Sequence, residues 1–344
     1  MRRNAKLDHH VGESHHGEAH QTVRLGARHG ARKCPRKGFL RLLYVAAVMF
    51  SIVPGKPARA TVEHKLSHGS APSLRISPEG WGETSLDDLK LVLDAVAAEL
   101  APRFPQRQLG TLRVVYGEGG PMAFYDKSAD GDYVIRLSAR HSRWHQFVYQ
   151  FSHELCHLYS NFDNKHARHG EIGHSNQWFE ESVCEAAALY TVRRLAERWE
   201  TEPPAPQFAG YGATLRALAD YLLNEPHRHL SSSTSLASWF RSNQSELEES
   251  PYLRDKNEVV ANRMLPLFEQ NPEAVGAIGY LNHDPEDAGR NFEDYLRAWK
   301  EACPPTQRGV VQQVIALFGA DASGQTETAT PAVPSGLLLA RNTR

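Results

Sequence analysis

Near residue 142 the hydrophobic period of this chain changes, and that change limits the folds open to it. Before it, short apolar runs are bounded by turn residues. Leu112 to Tyr116 reads as a strand stopped by Gly117, Gly119, Gly120 and Pro121, and Met122 to Tyr125 and Tyr133 to Leu137 read as two more, with a turn through Asp130-Gly131 between them. After it, Trp144, Phe147, Val148, Phe151, Leu155 and Leu158 recur three and four apart, as one apolar face of a helix requires. The opposite face carries Gln146, Gln150, His153 and His157. A second helix is expected from Gln177 to about Trp199, ended by the proline-rich run Thr201 to Pro206. Further helical patterns follow at Ala213 to Leu223, Leu236 to Glu248, Asn257 to Glu269, Asn291 to Ala302 and Gln307 to Phe318. Upstream, Leu86, Leu89, Leu93, Val96 and Leu100 form another helix that Pro102 closes, and Ser85 with Asp88 resembles a capping box at its start. Strands first and helices afterwards predict an α+β fold with a small mixed or antiparallel sheet, leading into a mainly helical lobe.

Composition permits such a fold. With 344 residues, 41% of them hydrophobic, the chain can bury a substantial core, and 23% charged and 9% aromatic residues exclude collagen-like, coiled-coil and wholly disordered classes. The net charge of −1 conceals two unlike parts. Residues 1–60 carry twelve Lys and Arg against three Asp and Glu, and residues 61–344 carry an excess of ten negative charges. The front reads as an export leader. Arg32, Lys33, Arg36, Lys37 and Arg41 run into the apolar stretch Leu42 to Val53, followed by Pro54, Gly55 and Ala58-Arg59-Ala60. About a dozen apolar residues ending in small-x-small is the signal-peptide pattern, too short for a spanning helix of roughly 20 residues. Cleavage is expected after Ala60, with a periplasmic or secreted destination. Arg36-Lys37-Gly38-Phe39-Leu40-Arg41 is similar to a twin-arginine motif with lysine in second place, although general secretion fits better.

The histidines at 9, 10, 15, 16, 20 and 29 precede the leader and read as unfolded sequence, and residues 320–344, rich in Thr, Ala, Pro and Ser, read as a disordered tail. No apolar run beyond the leader is long enough to span a membrane. The acidic remainder disfavours nucleic acid and acidic substrates and mildly favours cationic peptides. Loss of the leader removes Cys34 and leaves Cys156, Cys184 and Cys303, an odd number that excludes a disulfide framework.

On the polar face of the helix after residue 142 stands His153-Glu154-Leu155-Cys156-His157, an HExxH motif. Histidines at i and i+4 project one turn apart, so both imidazoles can bind one Zn²⁺, while the glutamate between them reaches the water at the open coordination position. With 18 histidines the match would arise by chance in about one such chain in fifteen, so a third ligand must decide. Downstream, Trp178-Phe179-Glu180-Glu181-Ser182-Val183-Cys184-Glu185-Ala186 offers acids on a second helix, where Glu181 and Glu185 share a face. Taken alone, Glu180, Glu181 and Glu185 would read as a solvated charge cluster.

Together the two segments resemble the gluzincin zinc metallopeptidases, thermolysin-like and aminopeptidase-N-like, with 23 residues between His157 and Glu181, close to the usual gap there. The resemblance covers Trp144 to Trp199. It implies a zincin-like fold, Zn²⁺ held by His153, His157 and Glu181, Glu154 as general base, and Glu185 orienting a zinc histidine from the outer shell. It also implies an oxyanion donor from the helical lobe, for which Tyr252 lies at a matching distance, with Tyr280 and His283 as alternatives. Gly120-Pro121-Met122-Ala123-Phe124 is similar to an aminopeptidase-N-like element whose glutamate, which binds a free amine there, is Ala123 here.

Rival assignments stay open. Asp163 stands where metzincins place a third ligand, although their glycine turn is Ser160 here and Met264 is a poor Met-turn candidate; His166, His169 and His174 could reach the metal from a loop. Cys156 and Cys184 belong to the two helices that would meet at the metal, either bridged or as small buried apolar groups. The strand Tyr133 to Leu137 is the expected edge for pairing an extended peptide.

The expected organisation is a leader at 1–60, a zinc-binding α+β catalytic lobe at 61–200, a helical lobe at 201–319 and the tail. The expected activity is hydrolysis of peptide or protein substrates by zinc-activated water. The alternatives are a non-catalytic, zinc-containing peptide-binding module and a different zinc hydrolase reaction on the same scaffold.

Overall fold

A computed structural model of the chain describes residues 70–165 and 175–319. The expectations for the leader, the tail, and His166, His169 and His174 fall outside these residues.

Four short strands make one sheet: β1 (Ser73–Ile76), β2 (Thr111–Tyr116), β3 (Met122–Ala123) and β4 (Tyr133–Leu137), in the order β1-β2-β4-β3. Helix α1 (Leu86–Leu100) carries the chain from β1 back to the start of β2, so those two pair in parallel. β2 and β4 are also parallel, and β3 pairs antiparallel with β4, so the sheet is mixed and the fold is α+β. Alternation decides its faces. Leu112 and Val114 of β2, opposite Tyr133 and Ile135 of β4, are buried, whereas Arg113 and Val134 between them are only half-buried.

One strand is unexpected, and two strand expectations need correction. β1 shows no sequence signal beyond Leu74 and Ile76, and it forms because β2 offers a free edge beside it. The Tyr133–Leu137 strand is interior rather than the sheet edge, because the hairpin folds β3 onto its outer side. β3 is the edge. It is shorter than the expected four residues, since Phe124 N–H still bonds Val134 carbonyl but the chain bends at Tyr125.

The helical patterns become α2 (Trp144–Tyr159), α3 (Gln177–Thr201), α4 (Gly212–Leu223), α5 (Leu236–Glu249), α6 (Arg254–Gln270), α7 (Phe292–Ala302) and α8 (Pro305–Leu317). Side-chain caps start three of the helices, Ser85 on α1, Ser235 on α5 and Asn291 on α7. α3 is the axis of the molecule: every residue from Ser182 to Val192 is buried, as a helix packed on all sides requires. α2, α4 and α6 pack along it. Near its N-terminus Trp178 and Phe179 meet Phe240, Phe292 and Phe318 from the later helices, with ring centroids 4.8 to 6.1 Å apart. One buried apolar cluster therefore runs from the sheet through α2 and α3 into α8 and Phe318.

Candidate metal centre

α2 supplies His153, Glu154 and His157, and α3, packed against it, supplies Glu180, Glu181 and Glu185. The imidazoles of His153 and His157 lie one turn apart, with centroids 5.1 Å from each other. Both Nε2 atoms face Glu181 Oε2, at 3.2 Å from His153 and 3.6 Å from His157. Ligand atoms about 2.0–2.1 Å from a tetrahedral zinc stand roughly 3.3 Å apart, so this spacing suits one cation between them. The ligand atoms of this trio all lie within 4.8 Å of one another.

Each outer nitrogen also faces a carboxylate, and that of His157 is hydrogen-bonded to it. His153 Nδ1 faces Glu185 Oε2 at 3.7 Å, and His157 Nδ1 bonds Glu180 Oε1 at 2.7 Å. Each carboxylate holds its imidazole with Nε2 turned inward, the tautomer a metal ligand needs. Glu181 is aimed by a 2.8 Å bond from Gln177 Nε2 to its Oε1.

The two outer acids have separate counter-charges. Glu180, fully buried, bonds Lys165, whose Nζ also holds Gln177, and receives a 2.7 Å bond from Asn282 Nδ2. Asn282 in turn accepts from Tyr295 OH and donates to Ser160 carbonyl. Asn161, just past α2, donates to the carbonyls of Gly279 and Leu281. Asn161 and Asn282 both adopt positive φ, 58° and 51°, a region asparagine enters more readily than most residues. Glu185 accepts from Tyr149 OH and faces Arg228 Nη1 at 2.9 Å. The Arg228 side chain is fully buried and reaches Glu258 at 2.8 Å and Glu225 at 3.2 Å.

Lys165 and Arg228 thus offset Glu180 and Glu185. Glu154 and Glu181 face the two imidazoles with no Lys or Arg ion pair among the described residues. With the imidazoles deprotonated, as metal ligands must be, two carboxylates without a Lys or Arg partner beside them are the donor set and charge that a divalent cation requires. The same charges act on protons. Burial works against protonated His153, but hydrogen bonds to Glu181 and Glu185 and the charge of Glu154 lift its pKa to about 10. Burial likewise opposes charge on His157, and Glu181 and Glu180 raise its pKa against it. Glu154 moves up, chiefly through burial, with Glu181 adding to the effect. A carboxyl raised towards neutrality is a competent general base.

Two cavities flank the centre and share Pro121, Glu154, Glu181 and Tyr252. One, of about 210 Å³, lies towards α6 and includes Tyr149, Arg254 and Glu258; the other, of about 430 Å³, lies along β3 and includes Phe124, Tyr125 and Phe162. Tyr252, 64% exposed, borders both. Burial, then the charge of Glu181, raise its pKa, so the phenol keeps its proton as a donor must.

His153, Glu154, His157, Glu181, Glu185 and Tyr252 therefore come together as expected. Asp163 does not join them: Arg107 binds it at 2.7 Å and Tyr133 OH at 2.6 Å. Tyr280 and His283 pair with each other, ring centroids 6.4 Å apart, and line neither cavity. Met264 is buried inside α6. Cys156 and Cys184 are free buried thiols rather than a bridge, with Cys184 Sγ 3.5 Å from His157 Nδ1. Sequence reasoning missed Glu180 as a partner of His157, although one helical step of about 100° from Glu181 turns it towards a second imidazole. Lys165, Asn282, Tyr149 and Arg228 carry no local signal. A second convergent trio, Glu225, His227 and Glu258, is already neutralised by Arg228 and Arg254.

No protein-family model, no curated protein and no solved structure matches this chain.

Proposed function

We propose that this protein is an exported zinc-dependent metallopeptidase of gluzincin type, which hydrolyses peptide bonds with Glu154 as general base. One observation carries the reading: His153 Nε2, His157 Nε2 and Glu181 Oε2 converge while Glu154 stands in the cleft beside them. The donor set of two imidazoles and one carboxylate leaves a fourth position open, as catalytic rather than structural zinc sites do. Zinc bound there would acidify a water and polarise the substrate carbonyl.

The remaining work falls to the chain. Glu154 takes the proton of the attacking water and passes it to the leaving amine, a role its raised pKa suits. Tyr252, at the mouth of both cavities, is the donor to the developing oxyanion. Glu185 and Glu180 keep the two imidazoles in register. The edge strand β3 borders the cleft and can pair with an extended substrate backbone. The basic leader, outside the described residues, supports export, and the described residues contain no helix long and apolar enough to cross a membrane.

Metal analysis with peptide-library cleavage tests this reading. About one zinc per chain is expected, with cleavage that chelator abolishes and zinc restores, and with zinc retained but cleavage lost in Glu154→Gln. Bound zinc without any cleavage would favour the non-catalytic peptide-binding module instead.

A further inference from the structure

The two cavities beside the metal centre differ in chemistry, and the larger one carries a specificity. It is lined by Met122, Phe124, Tyr125, Phe162 and Tyr252, with Glu154, His157 and Glu181 at the end nearest the metal centre. Phe162 is buried and packs on Tyr125, ring centroids 4.8 Å apart, and it also stands 6.3 Å from the His157 ring. The volume of about 430 Å³ falls within the range of about 300–1,000 Å³ that ligand cavities occupy, whereas the smaller cavity, about 210 Å³, falls below it.

Exposure points the same way. Only four large hydrophobic side chains stand exposed among the described residues, and two of them border this cavity, Met122 at 45% and, where it meets the smaller cavity, Tyr252 at 64%. Apolar surface left in water and gathered around a cavity marks a site that an apolar ligand covers. The occupant is the substrate itself, because the cavity opens onto the groups that would cleave it. We infer that this cavity takes a large apolar or aromatic side chain of the peptide substrate, next to the scissile bond, an assignment that rests on the peptidase reading above.

Strand direction adds which side of the bond that residue occupies. From this segment the small cavity is lined by Pro121 alone, and the large one by Pro121 through Asp126. The chain therefore runs from the small cavity to the large along β3. An extended peptide pairing antiparallel with that free edge, the more stable ladder, runs from the large cavity to the small one. Its apolar residue then precedes the scissile bond. The residue that follows the bond enters the smaller cavity, beside Arg254 and Tyr149.

Matched peptides that differ only in Phe or Ala, placed before or after the cleaved bond, test this with the zinc-loaded full chain. Phe before the bond is expected to raise kcat/KM about tenfold or more over Ala. Met122→Glu, which alters an exposed edge residue outside the core, is expected to cut that ratio to within about threefold of unity. The same Phe and Ala peptides, titrated by fluorescence anisotropy into zinc-loaded Glu154→Gln protein, should separate by a similar factor in Kd. Equal rates and equal affinities for the two peptides overturn the assignment, as does a Phe preference confined to the residue after the bond. Should the wild-type chain cleave nothing while the Glu154→Gln protein still binds the Phe peptide about tenfold better, the peptidase reading falls and the apolar subsite stands.

Discussion

At the residue scale the centre is a balance of charges around two imidazoles. In metal-free protein the raised pKa of His153, about 10, means that the folded state holds a proton the unfolded chain releases near pH 6.5. A raised folded-state pKa contributes stability that is whole below the unfolded value and is lost as pH rises through the folded one. Chelated protein is therefore expected to melt at progressively lower temperature between about pH 6.5 and about pH 10, as thermal denaturation at a series of pH values would reveal. Zinc should flatten that slope, since a coordinated imidazole carries no such proton. The outer acids make a second test. Glu185→Gln and Glu180→Gln should each weaken zinc binding by about 10–100-fold in competition with a chromophoric chelator. Glu180→Gln should also lower stability more, because it strands the buried Lys165 ammonium. Glu154→Gln should leave zinc affinity near wild type while lowering kcat by about 10² or more, since it removes the proton acceptor and none of the ligands.

At the element scale the question is how α3 is held against α6. Arg228 is the tie: its fully buried guanidinium faces Glu185 of α3 and Glu258 of α6. Removing one partner of a buried pair leaves an uncompensated charge. Arg228→Ala should cost about 3–5 kcal/mol by urea denaturation, against less than about 1 kcal/mol for Arg297→Ala, whose pair with Asp294 is exposed. Most elements were legible in the pattern of residues, because helix and strand periods differ and prolines and glycines mark their ends. β1 was not, since four residues with two apolar side chains carry too little periodicity and its neighbour β2 lies 35 residues or more away in sequence. The interior place of β4 was also hidden. Which strand lies at an edge depends on pairings across the sheet, and the hairpin that covers β4 is a two-residue strand.

For the whole molecule, a metal held by His153, His157 and Glu181 would join two helices that already share a large apolar core, so zinc would be a brace rather than the nucleus of the fold. Removal of zinc should leave the helical circular dichroism intact. The linkage contribution lost is about 4 kcal/mol when free zinc exceeds its Kd a thousandfold, a fall in Tm on the order of 10 °C. Collapse of secondary structure on chelation would contradict that expectation. The division between the two sources of information is physical. By itself the sequence determined what acts within a few turns of chain: the α+β class, the helix that presents His153, Glu154 and His157 together, and the shared face of Glu181 and Glu185, because local backbone geometry sets those relations. Only the tertiary structure decided what depends on packing between distant segments. It turned Glu180 to His157 and buried Lys165 and Arg228 as counter-charges. It drew Asp163 away to Arg107 and Tyr133, and it left β3 as the edge along an aromatic cavity. A buried charge must find its partner wherever the fold brings one, and that partner is fixed by contact in space rather than by distance along the chain.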